Sequence, residues 1–65
     1  MSWLKNIRET KKLTQAEVAE KAGVARAYYT NIENGVRRPS VDVAKRIGQA
    51  LGSDWTRFYE TEKEN

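Results

Sequence analysis

The chain of 65 residues has no cysteine, no histidine and a single proline. Without cysteine there is neither a disulfide framework nor a thiolate metal site, and without histidine the other common transition-metal ligand is missing as well. The same two absences remove the usual nucleophile and base pairs. The acids fall on solvated faces or at helix caps, so enzymatic activity is not expected, and neither is a cofactor. No apolar run approaches the roughly 18 residues that span a bilayer, and Met1–Lys5 does not resemble a charged segment leading into an apolar signal region. The expectation is a cytoplasmic protein with no membrane partner. A chain of this length is one domain at most, 1–65, and its core supplies only a few kcal/mol, so a second subunit is an expected source of further stability.

Positive charge is present, and its position is informative. The net charge is +3. Residues 1–38 carry eight Lys or Arg against four acids, whereas residues 39–65 carry four against five. The surplus travels with the first half of the chain, as a surface facing phosphates requires; a solvated surface with scattered lysines is the plainer alternative.

Apolar spacing divides the chain into helices, with no sign of a strand, repeat or linker. Trp3, Leu4 and Ile7 predict an amphipathic helix over about residues 2–11, after which Leu13 closes onto the core. Thr14 followed by Glu17 is a capping-box pattern that starts a second helix, with Val18, Ala19 and Ala22 on its buried side and Gly23 at its end. A third helix runs from about Ala25 to Asn34, and Val36–Pro39 is a loop. Ser40 caps a fourth, in which Val43, Ala44, Ile47, Ala50 and Leu51 form the buried stripe and Gly52 is the stop. Gly48, inside it, is expected to permit a close helix approach. Ser53 is expected to cap a short last helix with Asp54 in its first turn, carrying Trp55, Phe58 and Tyr59 on one stripe, followed by a frayed acidic tail over about 60–65.

Helices two and three, about residues 14–34, form a unit of two short helices joined by a tight glycine turn. That arrangement presents its second helix to the major groove of DNA. At about 100° per residue, Ala25, Tyr29 and Ile32 fall on the inward side of the third helix, with Tyr28 and Glu33 at its borders. Arg26, Ala27, Thr30, Asn31 and Asn34 point outward, with no acid and no large apolar group among them. Arginine pairs with guanine O6 and N7, asparagine with adenine N6 and N7, and an alanine methyl meets a thymine methyl. A helix kept only for packing would be expected to carry exposed Glu and Lys pairs on that face. Tyr28 has two readings: a hydroxyl to a phosphate, or a ring covering the core.

With these motifs in order, Leu13–Ala19, Ala22–Val24, Ile32–Gly35, Arg38–Ser40 and Ala50–Gly52, the chain resembles the phage repressor and Cro-like helix-turn-helix proteins, the XRE family, over about residues 4–59. The resemblance implies an all-α, compact five-helix, lambda-repressor-like DNA-binding domain acting as a transcriptional regulator. It implies that Thr14 and Gln15 lie against the DNA backbone, that Ala25, Arg26, Ala27 and Asn31 face the bases with Thr30 beside them, and that Asn34, Arg37 and Arg38 clamp phosphates after the recognition helix. It also implies a buried ion pair between Arg8 and Glu33 that ties the first helix to the third. Family members commonly carry Ser, Thr or Gln where this chain has Ala25 and Ala27, so specificity leans on Arg26 and Asn31.

The stripe Leu51, Trp55, Phe58 and Tyr59 has two uses that can hold at once: folding back onto Trp3, Leu4 and Ile7, and sealing a dimer through the end of the fourth helix and the last helix. The expected function is repression by a homodimer on a two-fold operator in double-stranded DNA. The alternative is a protein-interaction module, an antitoxin or anti-repressor binding a regulatory partner, with weak DNA contact.

Overall fold

A computed structural model describes residues 2–60; positions 61–65, most of the expected acidic tail, lie outside the described residues. The described chain holds five helices: α1 Ser2–Thr10, α2 Gln15–Ala22, α3 Arg26–Glu33, α4 Val41–Leu51 and α5 Arg57–Glu60. None is long and apolar enough to cross a membrane.

The expected caps form. The Thr14 hydroxyl accepts from the Glu17 amide at 3.1 Å while the Glu17 carboxylate accepts from the Thr14 amide at 2.8 Å, so two amides at the start of α2 are satisfied reciprocally. Gly23 ends α2 in the left-handed region at φ 72°. The Val24 amide then reaches back to the Ala19 carbonyl at 3.0 Å, turning the chain into α3 within two residues. Ser40 accepts from the Val43 amide at 3.2 Å and starts α4. The end of α1 carried no such signal. Lys12 takes the left-handed conformation at φ 60°, and the Leu13 amide closes onto the Arg8 carbonyl at 3.2 Å.

The core draws on every helix: Leu4 from α1, Val18, Ala19 and Ala22 from α2, Tyr29 and Ile32 from α3, Ala44, Ile47 and Leu51 from α4, and Phe58 from α5. Alanines on the facing sides of α2 and α4 allow those helices to pack closely, and α2 in turn packs against α3. Each large aliphatic side chain buried here contributes about 1.5–3 kcal/mol.

Two expectations are corrected. The last helix begins at Arg57, not after Ser53; the turn before it is held by the Asp54 carboxylate, which accepts from the Thr56 amide at 3.0 Å. The close approach at Gly48 is made by that turn and not by another helix: a Cβ on Gly48 would lie 2.8 Å from the Ser53 carbonyl oxygen and 3.0 Å from the Trp55 Cβ. Of the two uses open to the aromatic stripe, the fold-back onto its own chain is present at Phe58 and Tyr59. Phe58 is buried edge-on against Trp3 at 5.0 Å, Leu51 is buried in the core, and the Tyr59 hydroxyl donates to the Pro39 carbonyl at 3.1 Å. Leu51 and Phe58 are therefore unavailable to a second subunit.

The Arg8–Glu33 pair joins α1 to α3. Arg8 Nε and Nη2 donate to the two Glu33 carboxylate oxygens at 2.8 and 3.0 Å, and Arg8 Nη1 donates to the Leu13 carbonyl at 2.8 Å. The Tyr29 hydroxyl adds a bond to Glu33 at 2.8 Å. Sequence projection put Glu33 at the border of the inward face, yet it is only 5% exposed. Burial pushes its carboxyl up, but the hydrogen bonds from Arg8, Gln15 and Tyr29 and the Arg8 charge outweigh this and hold it below its ordinary value. Burial, and next the bond to Glu33, push the Tyr29 hydroxyl well above the usual tyrosine range, so it remains a donor.

A carboxylate whose folded-state pKa is depressed contributes stability that is fully present above its unfolded value and is lost as the pH falls through the folded one. Urea midpoints should thus decline as the pH drops below the ordinary glutamate value of 4.5. Glu33→Gln should flatten part of that decline and cost up to about 3 kcal/mol at neutral pH, because Arg8 is left partly buried without its counter-charge. Equal acid slopes for the two proteins would contradict this. Gly48→Ala, worth about 1 kcal/mol of added stability in an open helix, should instead lower the thermal midpoint here, with an overpacking cost of about 1–3 kcal/mol.

Candidate nucleic-acid interface

The outward face of α3 carries Arg26, Ala27 and Asn31 exposed, with Thr30 half-buried among them. Together with Gln15 from the start of α2, these four side chains line a shallow notch of about 340 Å³. A wider recess continues from it past Thr14 to Lys12. Of the residues singled out from sequence, Thr14, Gln15, Arg26, Ala27, Thr30 and Asn31 are thus brought together across the α2–α3 junction.

Gln15 is held from both ends. Its Nε2 donates to Glu33 Oε1 at 3.0 Å, and its Oε1 accepts from the Thr30 hydroxyl at 3.0 Å. The carboxamide extends the Arg8–Glu33 pair to the edge of the notch. The Thr14 hydroxyl is committed to the capping bond from the Glu17 amide at 3.1 Å, and the helix itself offers no acceptor to its first amides.

The loop after α3 is fastened to the same helix. The Val36 and Arg37 amides both donate to the Asn31 carbonyl, at 2.9 and 3.1 Å. The Arg37 guanidinium lies over the Tyr28 ring, 5.2 Å from its centroid, a contact worth about 0.5–1 kcal/mol at an exposed site. Tyr28 is half-buried and serves as a platform for Arg37. Asn34 caps the end of α3, and Arg38 is exposed on the loop beside Arg37. Trp55 and Tyr59 form a separate group with an edge-on contact at 6.2 Å, and neither lines the notch.

Ala25 departs from the helical projection that placed it inward. It is the N-cap of α3 with an extended backbone, φ −66° and ψ 144°, so the 100° spacing does not reach it, and it is exposed. Two contributors were not singled out from sequence. Lys12 lines the recess with Thr14, Gln15 and Arg26, and the Lys11–Lys12 pair just before the capping box was the available signal. Val36, 75% exposed beside Arg37, offers an apolar contact on a loop otherwise read for its charge.

The combined surface can donate hydrogen bonds in the plane of a base edge through Arg26 and Asn31, make methyl contact through Ala25 and Ala27, and supply positive charge along its rim from Lys12, Arg37 and Arg38. Among the described residues no group of His, Cys, Asp or Glu could hold a metal ion.

Comparison with known proteins agrees with this geometry. A family described as helix-turn-helix matches residues 4–58. YqaF, an uncharacterized HTH-type transcriptional regulator of Bacillus subtilis, is 60% identical over 58 residues, covering 89% of this chain and 76% of that protein. The immunity repressor protein of Bacillus phage phi105 is 41% identical over 49 residues, which is 75% of this chain but 34% of the repressor, so the chain corresponds to about a third of that protein. An HTH-type regulator of Methanothermobacter thermautotrophicus is 45% identical over 51 residues, 74% of each chain. No solved structure matches. With its capped helix pair, its short outward helix and a family match over nearly all the described residues, the chain belongs to the XRE-type helix-turn-helix family of DNA-binding transcriptional regulators.

Proposed function

We propose that the protein binds duplex DNA sequence-specifically through the outward face of α3, as a homodimer on a two-fold operator, and represses transcription by occluding it. The observation that carries this reading is the outward face itself. Arg26, Ala27 and Asn31 stand exposed with no acid among them, on a helix anchored by the buried Glu33. Arg26 reads a base, the α2 start with Thr14 and Gln15 lies on one backbone, and the loop with Asn34, Arg37 and Arg38 lies on another. Repression needs only occupancy, and the phage phi105 relative is named as a repressor. Such activity is carried out in the cytoplasm, on DNA.

A single module of this size buries only about 600–1,000 Å² on DNA, so pairing two modules on half-sites gains both affinity and specificity. With Leu51 and Phe58 committed to the core, the dimer contact would use what remains at the surface of that region, Trp55 and Tyr59, both half-buried.

On an operator selected from random duplexes, Arg26→Ala should cost about 1–3 kcal/mol and relax preference at one base pair. Arg38→Ala should weaken specific and random DNA alike and lower the salt slope by about one. Titrations over a salt series read both, and equal losses on specific and random DNA for Arg26→Ala would overturn the assignment. Footprinting should reveal two protected half-sites about 34–36 Å apart. Sedimentation showing only monomer, with one protein per operator, would remove the dimer.

A further inference from the structure

We infer that Thr30 meets DNA purely as a hydrogen-bond acceptor, selecting adenine or cytosine on the strand it contacts, and that Gln15 is the positioning residue that imposes this polarity. The inference rests on the base-reading role proposed above for α3.

A threonine hydroxyl is normally ambiguous in the major groove, because it can donate or accept and so tolerates any base edge. Here the ambiguity is removed by a relay. Glu33 faces the Arg8 guanidinium through two hydrogen bonds, which keeps it ionised, and an ionised carboxylate only accepts. Gln15 must therefore turn its Nε2 toward Glu33; the reversed amide would set two acceptor oxygens face to face 3.0 Å apart. That orientation leaves Gln15 Oε1 toward Thr30. A carbonyl oxygen cannot donate, so Thr30 gives its one hydroxyl hydrogen to Gln15 at 3.0 Å. Only lone pairs remain on the Thr30 oxygen.

Thr30 lines the notch with Arg26, Ala27 and Asn31. Arg26 can only donate, and guanine and thymine present the acceptors it needs. Thr30, one helical turn along the same face, has the opposite requirement. Adenine N6 and cytosine N4 are the groups that donate in the major groove, whereas guanine O6 and thymine O4 would oppose its lone pairs. The charge on Arg8, three hydrogen-bonded groups away, thus determines which bases the helix accepts.

The test uses the whole chain and a pool of duplexes with a randomised centre. Selection with the wild type and with Thr30→Val, which keeps the shape but not the hydroxyl, identifies the base pair whose preference depends on Thr30. At that pair, adenine is replaced by purine, or cytosine by 2-pyrimidinone, each lacking only the exocyclic amine. The wild type should lose about three- to tenfold in affinity, and Thr30→Val should lose nothing further. Gln15→Met, which frees the hydroxyl to rotate, should let guanine and thymine in at that pair, narrowing discrimination to about twofold or less.

If no pair responds to Thr30→Val while Arg26→Ala still relaxes its own, the inference is wrong and the base-reading role of α3 stands. The inference is equally overturned if deleting the amine leaves wild-type affinity unchanged, or if Gln15→Met keeps full discrimination. A wild type that selects no sequence at all overturns the proposed function and this inference with it.

Discussion

A single buried carboxylate organises this small domain. Glu33 takes two hydrogen bonds from Arg8, one from Tyr29 and one from Gln15, so α1, α2 and α3 all meet on its two oxygens. A charge removed from water at this depth is tolerated only when its lone pairs are met, and the geometry here meets them closely. Such a pair adds little net stability over a well-packed apolar replacement, but it penalises every arrangement in which its partners are displaced. The angle and register of the recognition helix are therefore tied to electrostatics as well as to packing.

That dependence follows from how short the helices are. α2 and α3 are eight residues each, well below the length at which an isolated helix is stable in water. α3 lacks a side-chain cap at its start and has no basic residue in its last turn. It persists because Tyr29 and Ile32 are sunk in the core and because Glu33 is held from α1 and α2. With the inner face given to anchoring, Arg26, Ala27 and Asn31 are left exposed on the outer face. The Asn31 carbonyl accepts from the Val36 and Arg37 amides, so the cationic loop is bonded directly to α3.

Much of this was legible from residue order. The capping box at Thr14 and Glu17, the turn at Gly23 and the Ser40 cap are local signals whose chemistry operates within four residues, and each forms as the pattern implies. The outward set on α3 followed from helical periodicity alone, and the Arg8–Glu33 contact from family resemblance. Less legible was anything without a local signature. Lys12 turns left-handed with no glycine to announce it. Ala25 leaves the helical projection because it precedes the first helical residue. The start of α5 depends on Asp54 accepting from Thr56, while Ser53 was an equally good cap by composition.

Residue order by itself determined five helical segments, the boundaries of α2 and α4, the absence of thiol and imidazole chemistry, and which side of α3 is polar, because caps and amphipathic spacing act over short stretches of chain. Tertiary structure alone decided that Phe58 packs against Trp3 and Tyr59 bonds the Pro39 carbonyl, that Gly48 accommodates a turn, and that Gln15 bridges Glu33 to Thr30. Those contacts join residues far apart in the chain, and only the packed core brings their donors and acceptors within bonding distance.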